Sequence, residues 1–124
     1  MELGFSVIRL FGMFGGRLDQ TLGNIFLLTG QKFSALDLRC LDENQEVFLI
    51  RESAEIFGEP NDTVSLLPLS PEATGVVTNG MKYPLNNETL FFEKTRGISN
   101  QMLSSKGQVS IKSGLLLCIH TSKT

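Results

Sequence analysis

The sequence predicts an all-β domain of eight or nine strands, a jelly-roll sandwich or barrel, and three observations carry that expectation. Short apolar runs recur at fairly even spacing between turn signals, the mark of a sandwich or barrel. Several of these runs alternate apolar and polar residues, as a half-buried strand does. No helix of length and no internal repeat emerge between them. At 124 residues the chain is read as one domain spanning 1–124, large enough to hold a core without disulfides or metals. Its 41% hydrophobic content is that of a globular chain.

Taken in order, the first strand is Phe5 to Phe14, closed by Gly15-Gly16. Arg9 inside this stretch and Glu2 before it argue against a secretory signal. Residues 17–24 lead to a short strand, Ile25 to Thr29, broken at Gly30. In Phe33 to Leu41, Leu36, Leu38 and Cys40 share one face while Asp37 and Arg39 share the other. Asp42-Glu-Asn-Gln is a tight turn, and Glu46 to Glu52 returns with apolar residues on both faces. Ser53 to Asp62 reads mainly as a connection, because Gly58, Pro60 and Asn61 break it. Thr63 to Leu69 is a strand whose prolines, Pro68 and Pro71, mark its end and place it at an edge. Gly75 to Thr78, the turn Asn79-Gly80 and Met81 to Leu85 read as a two-residue hairpin. Asn86-Asn87 breaks the chain again before a strand from Thr89 to Lys94, and Gly97 to Gly107 is a long polar connection.

The last strand, Gln108 to His120, carries the strongest signal. Val109 and Ile111 alternate with Ser110 and Lys112, but Leu115 to Ile119 is apolar at every position. Such a run is covered on both faces. In so short a chain one face meets the domain's own core, and the other is expected to meet a neighbouring subunit.

Charge and composition exclude several function classes. Eleven basic and thirteen acidic residues are interspersed, so no polybasic stripe exists to neutralise a nucleic-acid backbone and no direct nucleic-acid binding is expected. No apolar stretch reaches the length of a membrane span. Cys40 and Cys118 sit among apolar neighbours and read as two buried thiols of an intracellular protein, nuclear or cytoplasmic. One histidine and two separated cysteines make no metal-ligand set, and no cofactor is expected. His120, at the end of the last strand, reads as a surface or interface residue. Gly12-Met-Phe-Gly-Gly has no helix after it and no Lys-Ser/Thr pair, so it is read as a bulge or close backbone crossing. The chain is not expected to be an enzyme.

The order of features resembles the core domain of the nucleoplasmin family of histone chaperones. The matching segments are Leu10-Phe11-Gly12 or Phe14 to Leu18, Phe33 to Leu41, the acidic loop Asp42-Glu43-Asn44, Glu46 to Glu55, Val64 to Leu69, Val76 to Pro84, Leu90 to Lys94 and Gly107 to Cys118. Residues 98–106 stand as an insertion relative to that family, and its long acidic tract is missing. The resemblance implies a jelly roll assembling into a ring, a homopentamer that stacks into a decamer. Val47, Leu49, Leu115, Leu117 and Ile119 would then share core and oligomer interface, and Asp42, Glu43 and Glu46 would contact basic proteins such as histones. The ring would act by multivalency, with no covalent step.

Two other classes stay open beside it. A structural jelly roll of the capsid or decoration type would use the same doubly buried strands without an acidic surface. A small-ligand-binding β-barrel would hold an interior cavity, against which nine Phe argue for a filled interior. An enzyme ranks behind these; a pocket converging on His120 and a carboxylate would revive it.

Overall fold

The computed structural model describes residues 7–11, 18–27, 29 and 37–123. Ten strands and one helix occur among them: β1 (Val7–Phe11), α1 (Leu18–Leu27), β2 (Asp37–Asp42), β3 (Gln45–Ile50), β4 (Ser53–Phe57), β5 (Thr63–Pro68), β6 (Glu72–Asn79), β7 (Asn86–Phe91), β8 (Asn100–Gln101), β9 (Lys106–Ser110) and β10 (Leu116–Thr121). One sheet has six strands in the order β1-β2-β3-β10-β5-β8, and the other has four in the order β4-β9-β6-β7. The mostly-β expectation holds, with two sheets packed face to face. Every strand pair is antiparallel except β1 and β2, which run parallel from Val7↔Asp37 to Phe11↔Leu41. Parallel neighbours need a crossover connection, and α1 lies within the one joining β1 to β2.

The main core fills the space between the sheets. Phe48, Ile50, Val64, Leu66, Leu116 and Cys118 come from the larger sheet, and Ile56, Ala73, Val76, Leu90 and Val109 from the smaller. Each large side chain so buried contributes roughly 1.5–3 kcal/mol. A second cluster of Ile25, Cys40, Val47 and Leu117, with Leu49, Leu67, Leu69 and Ile119 partly buried against it, lies on the other side of the larger sheet. Both cysteines are buried, one in each cluster, and burial pushes both thiols up from the usual range.

Several expectations are corrected here. Residues 18–27 form a helix where a connection and the strand Ile25 to Thr29 were expected. Leu18, Leu22, Ile25 and Phe26 recur at helical spacing, Asp19 favours the first turn through the helix dipole, and Gly23 is tolerated inside at a cost of about 1 kcal/mol. Ile25 then packs on the sheet. The doubly apolar strand β10 thereby finds its second cover partly within the chain: Leu116 and Cys118 face the sandwich, while Leu117 meets Ile25 and Val47. Leu115 precedes β10 and is only partly buried.

The expected final strand is two strands in different sheets. β9 pairs with β4 and β6, whereas β10 pairs with β3 and β5. Gly114, at φ 101°, makes the crossing; a Cβ there would lie 2.6 Å from the Glu72 carbonyl. Residues 53–57, expected as a connection, form β4 by a similar crossing after β3. The Asn79-Gly80 hairpin is not formed. β6 pairs with β7 instead, and Met81 bridges to Met102. Asn87, read as a break, sits inside β7 at φ 59°, where the β6–β7 register shifts as at a bulge. The glycine-rich stretch 12–16 and residues 33–36 lie outside the described residues.

Candidate functional site

Among the described residues, polar side chains draw together at two places that bear on function. The first is an end of the larger sheet. The inward-facing row of β10 runs Leu116, Cys118, His120, and that of β3 runs Ile50, Phe48, Glu46, so both pass from core to polar residue at one end. Register sets Glu46 directly opposite His120 and Arg39 opposite Phe48. His120 is 6% exposed, which corrects its reading as a surface residue. Its Nδ1 lies 3.1 Å from Glu46 Oε1 and its Nε2 2.8 Å from Asp62 Oδ2. Arg39 Nη1 donates to Glu46 Oε2 at 3.0 Å and Nη2 to the Glu55 carbonyl at 3.0 Å, with the guanidinium 3.8 Å from the Phe48 ring centre. Asp62, 1% exposed, also accepts from the backbone N–H groups of Glu59 and Lys123.

Two carboxylates accepting from one ring favour the imidazolium, which donates from both nitrogens. The Glu46 hydrogen bond, then Asp62, hold the His120 pKa above its usual value against the opposing effect of burial. Burial pushes Glu46 and Asp62 upward, but the His120 hydrogen bond, with Arg39 for Glu46 and backbone donors for Asp62, holds both below the usual carboxylate range. Gly58 closes over this cluster. A Cβ there would lie 2.5 Å from Asp62 Oδ2 and 2.6 Å from His120 Nε2.

The network floors a cleft of about 290 Å³ whose walls include Leu41, the turn residues 43–45 and Phe57. A pocket does converge on His120 and a carboxylate. Both ring nitrogens are nevertheless committed, so the imidazole is not poised as a base. Of the acidic residues singled out from the sequence, Glu43 is exposed and Asp42 partly buried in the β2–β3 turn region, while Glu46 spends its charge inside the network. Val47 and Leu117 are buried in the helix-covered cluster, with Leu49 and Ile119 half-buried beside them.

The second place is the segment that reads in sequence as a long polar connection. Ser99 holds a left-handed backbone, φ 65°, a conformation that costs a non-glycine residue of order 1 kcal/mol. It is held there on both sides. Its N–H donates to Ser65 Oγ at 3.0 Å, and the Gly97 carbonyl accepts from Leu66 N–H at 2.8 Å. Asn100, 8% exposed, stitches the loop to the strand end beside it: its Oδ1 accepts from Tyr83 N–H and Gln101 N–H at 2.9 Å, and its Nδ2 donates to the Tyr83 carbonyl at 2.8 Å. Tyr83, Ile98 and Leu103 stand exposed around it. Sequence reading took residues 97–107 as a long polar connection and passed over Ser99 and Asn100 in it; the structure sets the two-residue strand β8 in that stretch, paired with β5.

Residues 49–116 match the family described as thiamin pyrophosphokinase, vitamin B1 binding domain. The chain is 31% identical over 119 residues to the thiamine pyrophosphokinase of Bacillus subtilis (strain 168), covering 94% of this chain and 56% of that protein. The crystal structure of thiamine pyrophosphokinase from Bacillus subtilis superposes with a TM-score of 0.85 at 31% identity, over 95% of this chain and 56% of that one. That of thiamin pyrophosphokinase from Geobacillus thermodenitrificans gives 0.80 at 28%, over 95% and 55%. Thiamin pyrophosphokinase from Candida albicans, at 21% identity and a TM-score of 0.75, shares the fold. The chain thus spans about half the length of the relatives it matches.

These matches overturn the nucleoplasmin resemblance and all that rested on it: the histone-chaperone role, the histone partners, the pentameric ring and the nuclear setting. That resemblance rested on apolar positions in order, which any sandwich of similar strand lengths supplies. The expectation of a non-enzyme is corrected as well, since the relatives are named for a kinase. The small-ligand alternative fits in part. No helix among the described residues is long and apolar enough to cross a membrane.

Proposed function

We propose that this chain, which belongs to the thiamin pyrophosphokinase, vitamin B1 binding domain family, binds thiamine and serves pyrophosphoryl transfer to it in the whole protein. The observation that carries the location is the Ser99–Asn100 loop: a strained, over-determined surface inside the matched residues 49–116. Of the charged cleft's lining, by contrast, only Phe57 falls within that stretch. Transfer of a phosphoryl group depends mainly on positioning and electrostatics, so a part of the protein that holds the acceptor rigidly contributes directly to rate. The loop is built for that. Asn100 spends its amide on the Tyr83 and Gln101 backbone and so ties the segment that carries the exposed Tyr83 ring to the one that carries Ser99, the residue types, aromatic and hydroxyl, suited to a planar, amino-substituted heterocycle.

Titration of the protein with thiamine, followed through backbone amide resonances, tests this. Saturable shifts at residues 80–83 and 97–103 are expected. Ser99→Gly retains the left-handed backbone and removes the hydroxyl, so it should weaken thiamine several-fold, the worth of one hydrogen bond, without lowering the thermal midpoint. Absence of shifts in that loop at saturating thiamine overturns the location, and absence of thiamine binding altogether overturns the function.

A further inference from the structure

We propose that the cleft between the β2–β3 turn and Phe57 is a second binding site, separate from the thiamine loop, and that it takes a small organic cation such as a quaternary or protonated amine. The inference goes beyond thiamine binding and rests on which groups remain uncommitted around the cavity.

Its positive groups are spent. Arg39 is held by Glu46 and the Glu55 carbonyl, and His120 by Glu46 and Asp62. Two cations face two carboxylates, and the floor is electrically balanced. The side-chain amide donors at the rim are spent too: Asn44 Nδ2 donates to the Ser122 carbonyl at 3.3 Å and Gln45 Nε2 to Thr121 Oγ1 at 3.3 Å. The rest of the lining is the exposed acidic Glu43, the polar Asn44, Gln45 and Ser122, apolar Leu41 and the Phe57 ring, 61% exposed. An anion would meet the Glu43 carboxylate with no uncommitted cation among the lining residues to offset it. A cation would meet Glu43 and the negative face of an aromatic ring. Phe57 already stands near one: Lys106 Nζ lies 5.9 Å from its centroid, while a 3.0 Å ion pair ties that ammonium to Glu55. The buried network also makes the floor rigid, so a guest pays little to order it. At about 290 Å³ the cleft stands at the low end for ligand sites and has ample room for a guest of choline's size.

Choline and its neutral isostere 3,3-dimethyl-1-butanol separate charge recognition from shape. Each is titrated into the protein while amide resonances of residues 41–46, 57 and 120–122 are followed. Choline is expected to shift them saturably, with the isostere at least about ten-fold weaker. Phe57→Ala and Glu43→Gln should each reduce choline affinity roughly three- to five-fold, the scale of one exposed cation–π or ion contact, with thermal midpoints unchanged. Equal response to both compounds, response outside these residues, or stronger response to inorganic phosphate overturns the proposal. Thiamine is itself a quaternary cation, so its titration is read at both sets of resonances: shifts confined to 80–83 and 97–103 keep the two sites distinct, whereas saturable thiamine shifts at 41–46 and 57 make the cleft part of the thiamine site and overturn a second one.

Discussion

Gly58→Ala places a methyl group where the buried ion network closes. The new Cβ would lie 2.5 Å from Asp62 Oδ2, 2.6 Å from His120 Nε2 and 2.8 Å from His120 Cε1. Side-chain ends often yield cheaply, but these do not. Asp62 is pinned by the Glu59 and Lys123 N–H groups, and the imidazole by Glu46, both inside a buried cluster. Relief therefore means lengthening the 2.8 Å His120–Asp62 bond or shifting the backbone that pairs Gly58 N–H with the Ser105 carbonyl. A charge-assisted bond is worth about 1.5–3 kcal/mol, and breaking a buried pair costs about 3–5 kcal/mol; the expected loss is about 3 kcal/mol. For a chain of this length that is a fall of roughly 12 °C in Tm. Calorimetry and urea unfolding measure it, with the His120 ring protons as a local reporter. Gly23→Ala is the matched control: nothing lies within 4 Å of its added Cβ on the helix, and it should stabilise by about 0.5–1 kcal/mol. A Gly58→Ala protein within about 0.5 kcal/mol of the parent, with unchanged His120 resonances, would refute the reasoning.

The same network sets a pH window. His120 is raised, so its contribution is complete below the unfolded value, about 6.5, and is lost as pH rises through the folded value. Glu46 and Asp62 are lowered, so theirs is complete above the usual carboxylate range and is lost as pH falls through the folded values. Urea midpoints should form a plateau between these limits, and His120→Gln should remove the alkaline-side loss; an unchanged alkaline limb would contradict the assignment. Asn100→Ala leaves the N–H groups of Tyr83 and Gln101 without their acceptor, costing about 2–4 kcal/mol, and should weaken thiamine by more than Ser99→Gly does, as read by calorimetry and titration. Leu90→Ala, at 1% exposure between the sheets, should cost about 2–5 kcal/mol in urea unfolding while choline affinity at the cleft stays at the parent value.

Much of the β architecture was legible because alternation and turn residues are local signals. The β2–β3 hairpin is where the sequence places it, with Asp42↔Gln45 closing the pair, and the two apolar faces of β3 are both buried, Phe48 and Ile50 in the sandwich and Val47 behind it. The run Leu115 to Ile119 correctly implied cover on both faces. It did not say what the second cover was. Part of it is Ile25 on α1, a helix whose Gly23-Asn24 reads locally as a break and whose stability comes from packing on the sheet. Neither the Ser99 loop nor the ion network was visible, since a left-handed serine and a buried histidine look like any polar connection and any frayed strand end.

The sequence by itself determined the strand-rich class, the apolar rows and the two buried thiols, because side-chain period and hydrophobicity act within a few residues. Only the tertiary structure decided that residues 108–120 cross from one sheet to the other at Gly114, that β1 and β2 run parallel, and that Arg39, Glu46, Asp62 and His120 meet. Those facts depend on register between strands distant in the chain. Glu46 and His120 stand 74 positions apart in sequence and directly opposite in the sheet, and no local pattern encodes a contact of that separation.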